Sequence, residues 1–238
     1  MKPKRDWIEG AKRNAALEAV KHVKNGFAIG LGSGSTAAYA VEEIGRRIKL
    51  EEWRILGVPT SYQAFLLAIK HNIPITTLEE HPSLDLTIDG ADQIDEKLNL
   101  IKGMGGALAR EKIVASASKK LIIVADENKK VRVLGENNHP VPIEVLPFAT
   151  AFVIHKIEEI DGKPILREGK GKVGPVVTDN GNFIIDANFG PLQKPGKLED
   201  KLKKISGIVE TGIFCEMADT VYIGKHSTVQ KIERKKIR

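Results

Sequence analysis

Residues 84–115 read Leu-Asp-Leu-Thr-Ile-Asp-Gly-Ala-Asp-Gln-Ile-Asp-Glu-Lys-Leu-Asn-Leu-Ile-Lys-Gly-Met-Gly-Gly-Ala-Leu-Ala-Arg-Glu-Lys-Ile-Val-Ala. Residues 84–88 alternate apolar and polar side chains and run into Asp89-Gly90, the pattern of a strand entering a turn. Asp89, Asp92 and Asp95 follow three apart, so Asp89 and Asp92 can share one side of a tight turn. Residues 98–102 read as a second short strand with Lys102 at its end. Gly103, Gly105 and Gly106 then form a loop whose bare backbone admits a close ligand. Residues 107–118 are helical by composition, with Glu111 near the first turn. Runs of Asp are ordinarily solvated turn residues, and a Glu at a helix start suits the helix dipole. The joint pattern is more specific: it gathers two acids, a base and an ammonium at strand ends, where open α/β sheets bind ligands.

Outward from this stretch, residues 6–24 place Ile8, Ala11, Ala15, Ala16, Ala19, Val20 and Val23 at helical spacing. Residues 27–31 form a short buried strand that runs into Gly32-Ser-Gly-Ser-Thr36, and residues 37–48 are helical. A strand, a glycine loop and a helix present backbone N–H groups and a positive helix end to an anion. The dinucleotide fingerprint fails on spacing, because glycines from Gly30 fall at the first, third and fifth positions. No acid ends the second strand, residues 54–58, which runs into Pro59-Thr-Ser61; no Gly-Lys-Ser/Thr follows to make a P-loop. What remains suits a single phosphate or a sugar.

Further along, residues 61–70 read as a helix, 73–77 as a strand and 120–125 as a fully buried strand. Strands alternating with helices point to a mostly parallel, Rossmann-like sheet. The rhythm changes after Leu134. Strand 140–145, helix 147–159, strands 163–167 and 182–187, helix 197–205 and strand 207–214 give the order βαββαβ of a ferredoxin-like α+β domain. Residues 218–224 return as a last strand to the first sheet. The expected division is a catalytic α/β domain of residues 1–139 and 215–238, with a small α+β domain of 140–214 inserted near the C-terminus.

The 238 residues are 42% hydrophobic and 29% charged, with a net charge of +6, and Lys and Arg are dispersed among acids rather than gathered in one patch. No nucleic-acid partner is expected, and the basic end from Lys231 to Arg238 reads as a frayed terminus. A modest positive field suits a phosphorylated substrate. The lone Cys215 excludes an internal disulfide and reads as a buried small hydrophobe in a reducing compartment. No signal-peptide core and no apolar run of about 20 residues is present, so a cytoplasmic protein without a membrane partner is expected. The six histidines are scattered and there is no Cys pair, so no metal site is expected.

Asp89-Gly-Ala-Asp92 and Lys102-Gly-x-Gly-Gly-Ala-x-x-Arg-Glu111-Lys112 closely resemble the signature segments of the type A ribose-5-phosphate isomerase family. The resemblance runs from the glycine loop near residue 30 to the last strand near residue 223. It implies interconversion of D-ribose 5-phosphate and D-ribulose 5-phosphate in the non-oxidative pentose phosphate pathway, without metal or coenzyme. It implies a homodimer or homotetramer as well. Such chemistry moves a proton between C2 and C1 through an enediolate. The resemblance assigns Glu111 as the base, and a positive helix end favours its charged form. Lys102 would stabilise the developing oxyanion. Asp89 would open the sugar ring, while Asp92 would hold hydroxyls and orient Lys102.

Family likeness also lays Gly32, Ser33, Gly34, Ser35 and Thr36 over sugar and phosphate, with Gly103, Gly105 and Gly106 beside the substrate. Ser33 stands where Thr is frequent, which keeps the hydroxyl. A larger departure lies in Leu134-Gly-Glu-Asn-Asn-His139-Pro, where many relatives are shorter and carry a phosphate-binding Lys directly after the Gly. Here Glu136 follows Gly135, which leaves that contact to His139 or a more distant Lys; Lys12 is a further candidate. Two other classes stay open. One is a sugar-phosphate-sensing regulator, although residues 1–26 hold one helix and no helix-turn-helix. The other is a coenzyme A transferase with a nucleophilic glutamate. Turnover of ribose 5-phosphate alone distinguishes the isomerase from both.

Overall fold

The computed structural model describes residues 3–171 and 173–234; the last part of the basic end, residues 235–238, lies outside them. In chain order the elements are α1 (Pro3–Val20), β1 (Ala28–Leu31), α2 (Gly34–Glu51), β2 (Leu56–Pro59), α3 (Tyr62–Lys70), β3 (Leu86–Asp89), β4 (Gln93–Ile94) and β5 (Leu100–Ile101). Then follow α4 (Leu108–Ser116), β6 (Leu121–Asp126), β7 (Val141–Val145), α5 (Thr150–Glu158), β8 (Lys163–Leu166) and β9 (Phe183–Asn188). The chain ends with α6 (Pro195–Leu202), β10 (Ile208–Thr211), β11 (Ile213–Phe214), β12 (Thr220–Gly224) and β13 (Val229–Glu233). They form two compact units, one of residues 1–91, 110–129 and 217–238, the other of 92–109 and 130–216.

The first unit is built on a six-stranded sheet in the order β13-β12-β6-β3-β1-β2. Its pairings are parallel except for the antiparallel edge strand β13. Short apolar strands such as Leu121–Asp126, buried along their whole length, need cover on both faces. On one face Ala15, Ala16, Ala19 and Val20 of α1 and Ala40, Val41 and Ile44 of α2 join Ile29, Leu31, Leu86, Ile88, Ile122 and Val124 in one cluster. On the other, Val114 of α4 packs with Ala28, Val58 and Leu84. The alanines of α1 let the helix lie close, and a Cβ on Gly224 of β12 would overlap the Ala11 backbone.

In the second unit the four-stranded antiparallel sheet runs β10-β7-β9-β8, which is the 4-1-3-2 order of a ferredoxin-like domain. Its inner face presents Val141, Ile143, Val145, Ile185 and Ala187 to Val153 and Ile157 of α5 and Leu202 of α6. A separate three-stranded antiparallel sheet pairs β11 with β5 and β5 with β4.

Several expectations are corrected. Residues 73–77 make one parallel bridge, Gly57 to Ile75, and no strand. The expected strand 207–214 is two strands in two sheets, divided at Gly212. There the Gly212 N–H donates to the Pro142 carbonyl at 2.7 Å, while its own carbonyl accepts from the Lys102 N–H at 2.9 Å. A Cβ at Gly212 would overlap the Lys102 carbonyl, so only glycine lets the chain change sheets at this point. Lys231 and Glu233, read as part of a frayed end, belong to β13, which pairs with β12 from Thr220–Glu233 to Gly224–Val229. Cys215 is half-buried rather than fully buried.

Candidate active site

In the first unit the chain passes from β1 to β2 on one side and on to β3 on the other, so β1 and β3 flank a point where strand order reverses. Ligands of open α/β sheets bind beyond the carboxyl ends of the strands at such a point. β1 ends at Leu31 and opens into the 32–36 loop; β3 ends at Asp89. The Gly32 N–H donates to the Ile88 carbonyl at 2.9 Å, which keeps the loop in register with β3. One carboxylate oxygen of Asp89, Oδ1, accepts from the Ser33 N–H at 3.0 Å and the Gly90 N–H at 2.7 Å. Gly32 is pressed so closely on Asp89 that a Cβ there would overlap the carboxylate and the Asp89 Cα. The sequence therefore places Asp89 and the glycine loop together, and glycine is what permits the approach.

Ser33 is the extended N-cap of α2, yet its hydroxyl caps no helix N–H. It lies 2.7 Å from Thr60 Oγ1 and donates to Ser61 Oγ at 2.6 Å. Ser61 in turn caps α3 by accepting from the Ala64 N–H at 3.1 Å. The Gly34 N–H, at the start of α2, donates to Gln63 Oε1 at 2.8 Å. Lys12 of α1 reaches the same loop, its ammonium donating to Ser35 Oγ at 3.3 Å and to Glu9 at 2.8 Å. Thr36 is buried behind the loop. Glu111, in the first turn of α4, is buried as well, with 5% of its surface exposed.

Within the second unit, Lys102 follows β5 and is 3% exposed. Its backbone N–H is held by Gly212, and its ammonium lies 5.6 Å from the centre of the Phe214 ring, a distance at which the ring quadrupole attracts a cation. Gly103, Met104, Gly105 and Gly106 turn sharply after it. Gly103 and Gly106 have φ of 105° and 80°, and the Gly106 N–H donates to the Gly103 carbonyl at 3.0 Å. Asp92 Oδ2 accepts from the Met104 N–H at 2.9 Å, which ties this acid to the glycine turn. Arg167 donates to the carbonyls of Gly103 and Met104.

Glu136 is turned onto its own loop. Its Oε1 accepts from the Val133 N–H at 3.1 Å and lies 3.6 Å from Arg132 Nε. Gln93 braces that loop by accepting from the Gly135 N–H at 2.7 Å and donating to the Glu136 carbonyl at 3.1 Å. Among the described residues, no group of three His, Cys, Asp or Glu side chains is placed to hold a metal ion, and no helix is long and apolar enough to cross a membrane.

Thr60, Ser61, Gln63 and Arg167 carry no functional signal in the sequence, yet they contact the two glycine loops. The Pro59-Thr-Ser61 run lacks an acid, but its hydroxyls before a helix mark an N-cap that also reaches the glycine loop. Gln63 and Arg167 lie 29 and 64 residues from the loops they contact, and nothing local in the sequence flags them.

A parallel sheet with a hydroxyl-bearing glycine loop and a buried carboxylate at its switch point places the chain among α/β proteins that take a small polar ligand at their strand ends. The profile of the ribose 5-phosphate isomerase A (phosphoriboisomerase A) family matches residues 56–228. Ribose-5-phosphate isomerase A of Methanosarcina acetivorans is 50% identical over 226 residues, covering 94% of this chain and 95% of the relative. A D-ribose-5-phosphate isomerase solved in complex with phospho-erythronic acid superposes with a TM-score of 0.92 at 46% identity, over 95% of this chain and 99% of the other. Ribose 5-phosphate isomerase A from Methanocaldococcus jannaschii gives 0.91 at 43% identity, over 94% and 99%. The chain belongs to the ribose 5-phosphate isomerase A family.

Proposed function

We propose that this protein interconverts D-ribose 5-phosphate and D-ribulose 5-phosphate through an enediolate, in the cytoplasm and within the non-oxidative pentose phosphate pathway. The observation that carries the reading is the match to named ribose-5-phosphate isomerases over nearly the full length of both chains. In this scheme Glu111 removes the proton from C2 and returns it to C1. A buried carboxylate in a first helical turn is fixed in place, and the N-terminal end of the helix dipole favours its charge. Lys102 supplies the positive charge that stabilises the oxyanion, from a buried position where such charge counts for more than in water. Asp89 exchanges protons with the ring oxygen and anomeric hydroxyl to open the sugar. Its Oδ1 is engaged by two backbone N–H groups, which orients the carboxylate. Asp92 holds the 103–106 turn, and the 32–36 loop with Lys12 takes the phosphorylated end of the substrate. The protein works as a homodimer or homotetramer.

Phospho-erythronic acid, bound in the solved relative, fits this scheme. Its planar carboxylate resembles the two oxygens of an enediolate, and groups that stabilise that intermediate would hold it too.

Glu111→Gln tests the mechanism. The change keeps size and removes the base, so kcat should fall by about 10²–10⁴-fold with KM little changed. In deuterated water the wild type should incorporate solvent deuterium at the carbon that receives the proton, and the Gln variant should show neither turnover nor exchange. Near-normal exchange in the variant would place the base elsewhere, with Asp89 the first residue to examine.

A further inference from the structure

Arg167 follows β8 and sends its guanidinium to two places at once. Nε donates to Asp186 Oδ2 at 2.7 Å and Nη2 to the other oxygen of the same carboxylate, a two-point fork. Nη1 donates to the Gly103 carbonyl at 2.9 Å and the Met104 carbonyl at 3.1 Å. Both side chains are largely buried, 13% and 20% exposed. The turn directly after Lys102 is therefore held on both sides, its Met104 N–H by Asp92 and its carbonyls by Arg167.

We propose that Arg167, braced by Asp186, is a positioning residue that fixes the Gly103–Met104 backbone and thereby the direction in which Lys102 presents its ammonium. This rests on the reading of Lys102 as the group that stabilises the oxyanion. The Asp186 carboxylate offsets the guanidinium charge, so what Arg167 delivers at the carbonyls is geometry rather than field. Only a planar fork with five donors serves a carboxylate and two carbonyls together; a lysine ammonium has three donors and no plane. The guanidinium also ties the end of β8 to Asp186 of β9, while the Arg167 backbone is paired separately, its N–H donating to the Ile184 carbonyl and its carbonyl accepting from the Val176 N–H. These backbone bonds do not depend on the guanidinium, and Tm reports whether the pairing survives its removal. Gly103 and Gly106 at positive φ make a turn with little rigidity of its own, so an external clamp has something to hold.

The experiment compares full-length wild type, Arg167→Gln, Arg167→Lys, Asp186→Asn and Lys102→Ala, together with the Arg167→Gln/Lys102→Ala double variant. It measures kcat and KM for ribose 5-phosphate, and Tm. A misplacement of about 1 Å at a reacting group costs up to about 100-fold, so Arg167→Gln should lose about 10- to 100-fold in kcat. KM should stay within about threefold of wild type. Asp186→Asn should lose kcat in the same direction, and Arg167→Lys should recover part of it. In the Lys102→Ala background the Arg167→Gln change should cost no more than about twofold, since no ammonium remains to be positioned. A loss as large there as in wild type overturns the inference, as does a KM effect without a kcat effect or wild-type kcat in Arg167→Gln. Wild-type kcat in Lys102→Ala removes the reading of Lys102 and this inference with it. Should Arg167→Gln fail to fold, Arg167→Lys and Asp186→Asn decide the matter, and wild-type kcat in both overturns it.

Discussion

At Gly32 two strands approach so closely that a methyl group has no space. A Cβ there would meet the Asp89 carboxylate, the Asp89 Cα and the Ile88 carbonyl, and two of these three are backbone that cannot swing aside. Gly32→Ala should therefore cost about 1–3 kcal/mol of stability, in the range of overpacked sites, and should displace Asp89 along with the loop. Gly90→Ala is the control for stability, because its Cβ would sit 3.6 Å from the Ser33 carbonyl, an ordinary contact. Thermal unfolding of the two variants checks this, and equal Tm values would contradict it. At this scale the sequence showed the residue types but not the reason for them. Gly32 was legible as a loop glycine, and Asp89 as the end of a strand. Their mutual contact was not, since 57 positions separate them and only the parallel pairing of β1 with β3 brings them together. Arg167 is the extreme case: one arginine among 37 basic residues, set apart only by what the fold places around it.

Elements were easiest to read where one face is buried and hardest where a strand is short. Helix α2 illustrates the first case, with Ala37, Ala40, Val41, Ile44 and Gly45 buried along one face and Glu43, Arg46 and Arg47 linked on its surface. Two guanidiniums hold the Glu43 carboxylate, Arg46 Nε at 2.7 Å and Arg47 Nε at 3.0 Å. The hydrogen bond from Arg46 is the main cause that brings its pKa from 4.5 down to about 2. Because the folded value lies below the unfolded one, the contribution to stability is fully present above about pH 4.5 and fades as the pH falls through about 2. The Tm gap between wild type and Glu43→Gln should accordingly be widest near neutral pH and shrink across that window. A gap independent of pH between 7 and 2 would mean that the ion pairs do not act as described. The two-residue strands β4, β5 and β11 illustrate the second case. β4 was missed because Gln93–Ile94 is too short to show a period, and β10 and β11 merged because Ile208-Val209 and Ile213-Phe214 are parted by only three residues, too few to mark a turn between separate strands. β13 was hidden by charge: Val229–Glu233 includes Lys231 and Glu233, as suits an edge strand that has to discourage further pairing.

For the whole molecule, the alternation of strands and helices followed by βαββαβ gave the class of both sheets, since period and order survive errors at element ends. Self-association is a property of surfaces, which the periodic pattern does not reveal directly. In the first unit α3 is apolar on its outer side, with Tyr62, Leu66 and Ile69 exposed by 58%, 65% and 53%. In the second, Leu146, Phe148 and Phe152 are exposed, Phe148 fully. Single exposed hydrophobes are ordinary, but several large ones within two turns of a helix are the kind of surface that marks an interaction site. These exposed faces are what supports the proposed homodimer or homotetramer over a lone chain. Light scattering at micromolar concentration should give a mass of two or four times the 26.1 kDa chain. Burial of apolar surface is not screened by ions, so the same mass should persist at about 1 M salt, where the Debye length is near 3 Å and surface ion pairs contribute little. A mass that fell to one chain only at high salt would show an assembly held by charge. A mass of one chain at every salt concentration would show that the exposed faces of α3 and of the Phe148 region are tolerated by a monomer.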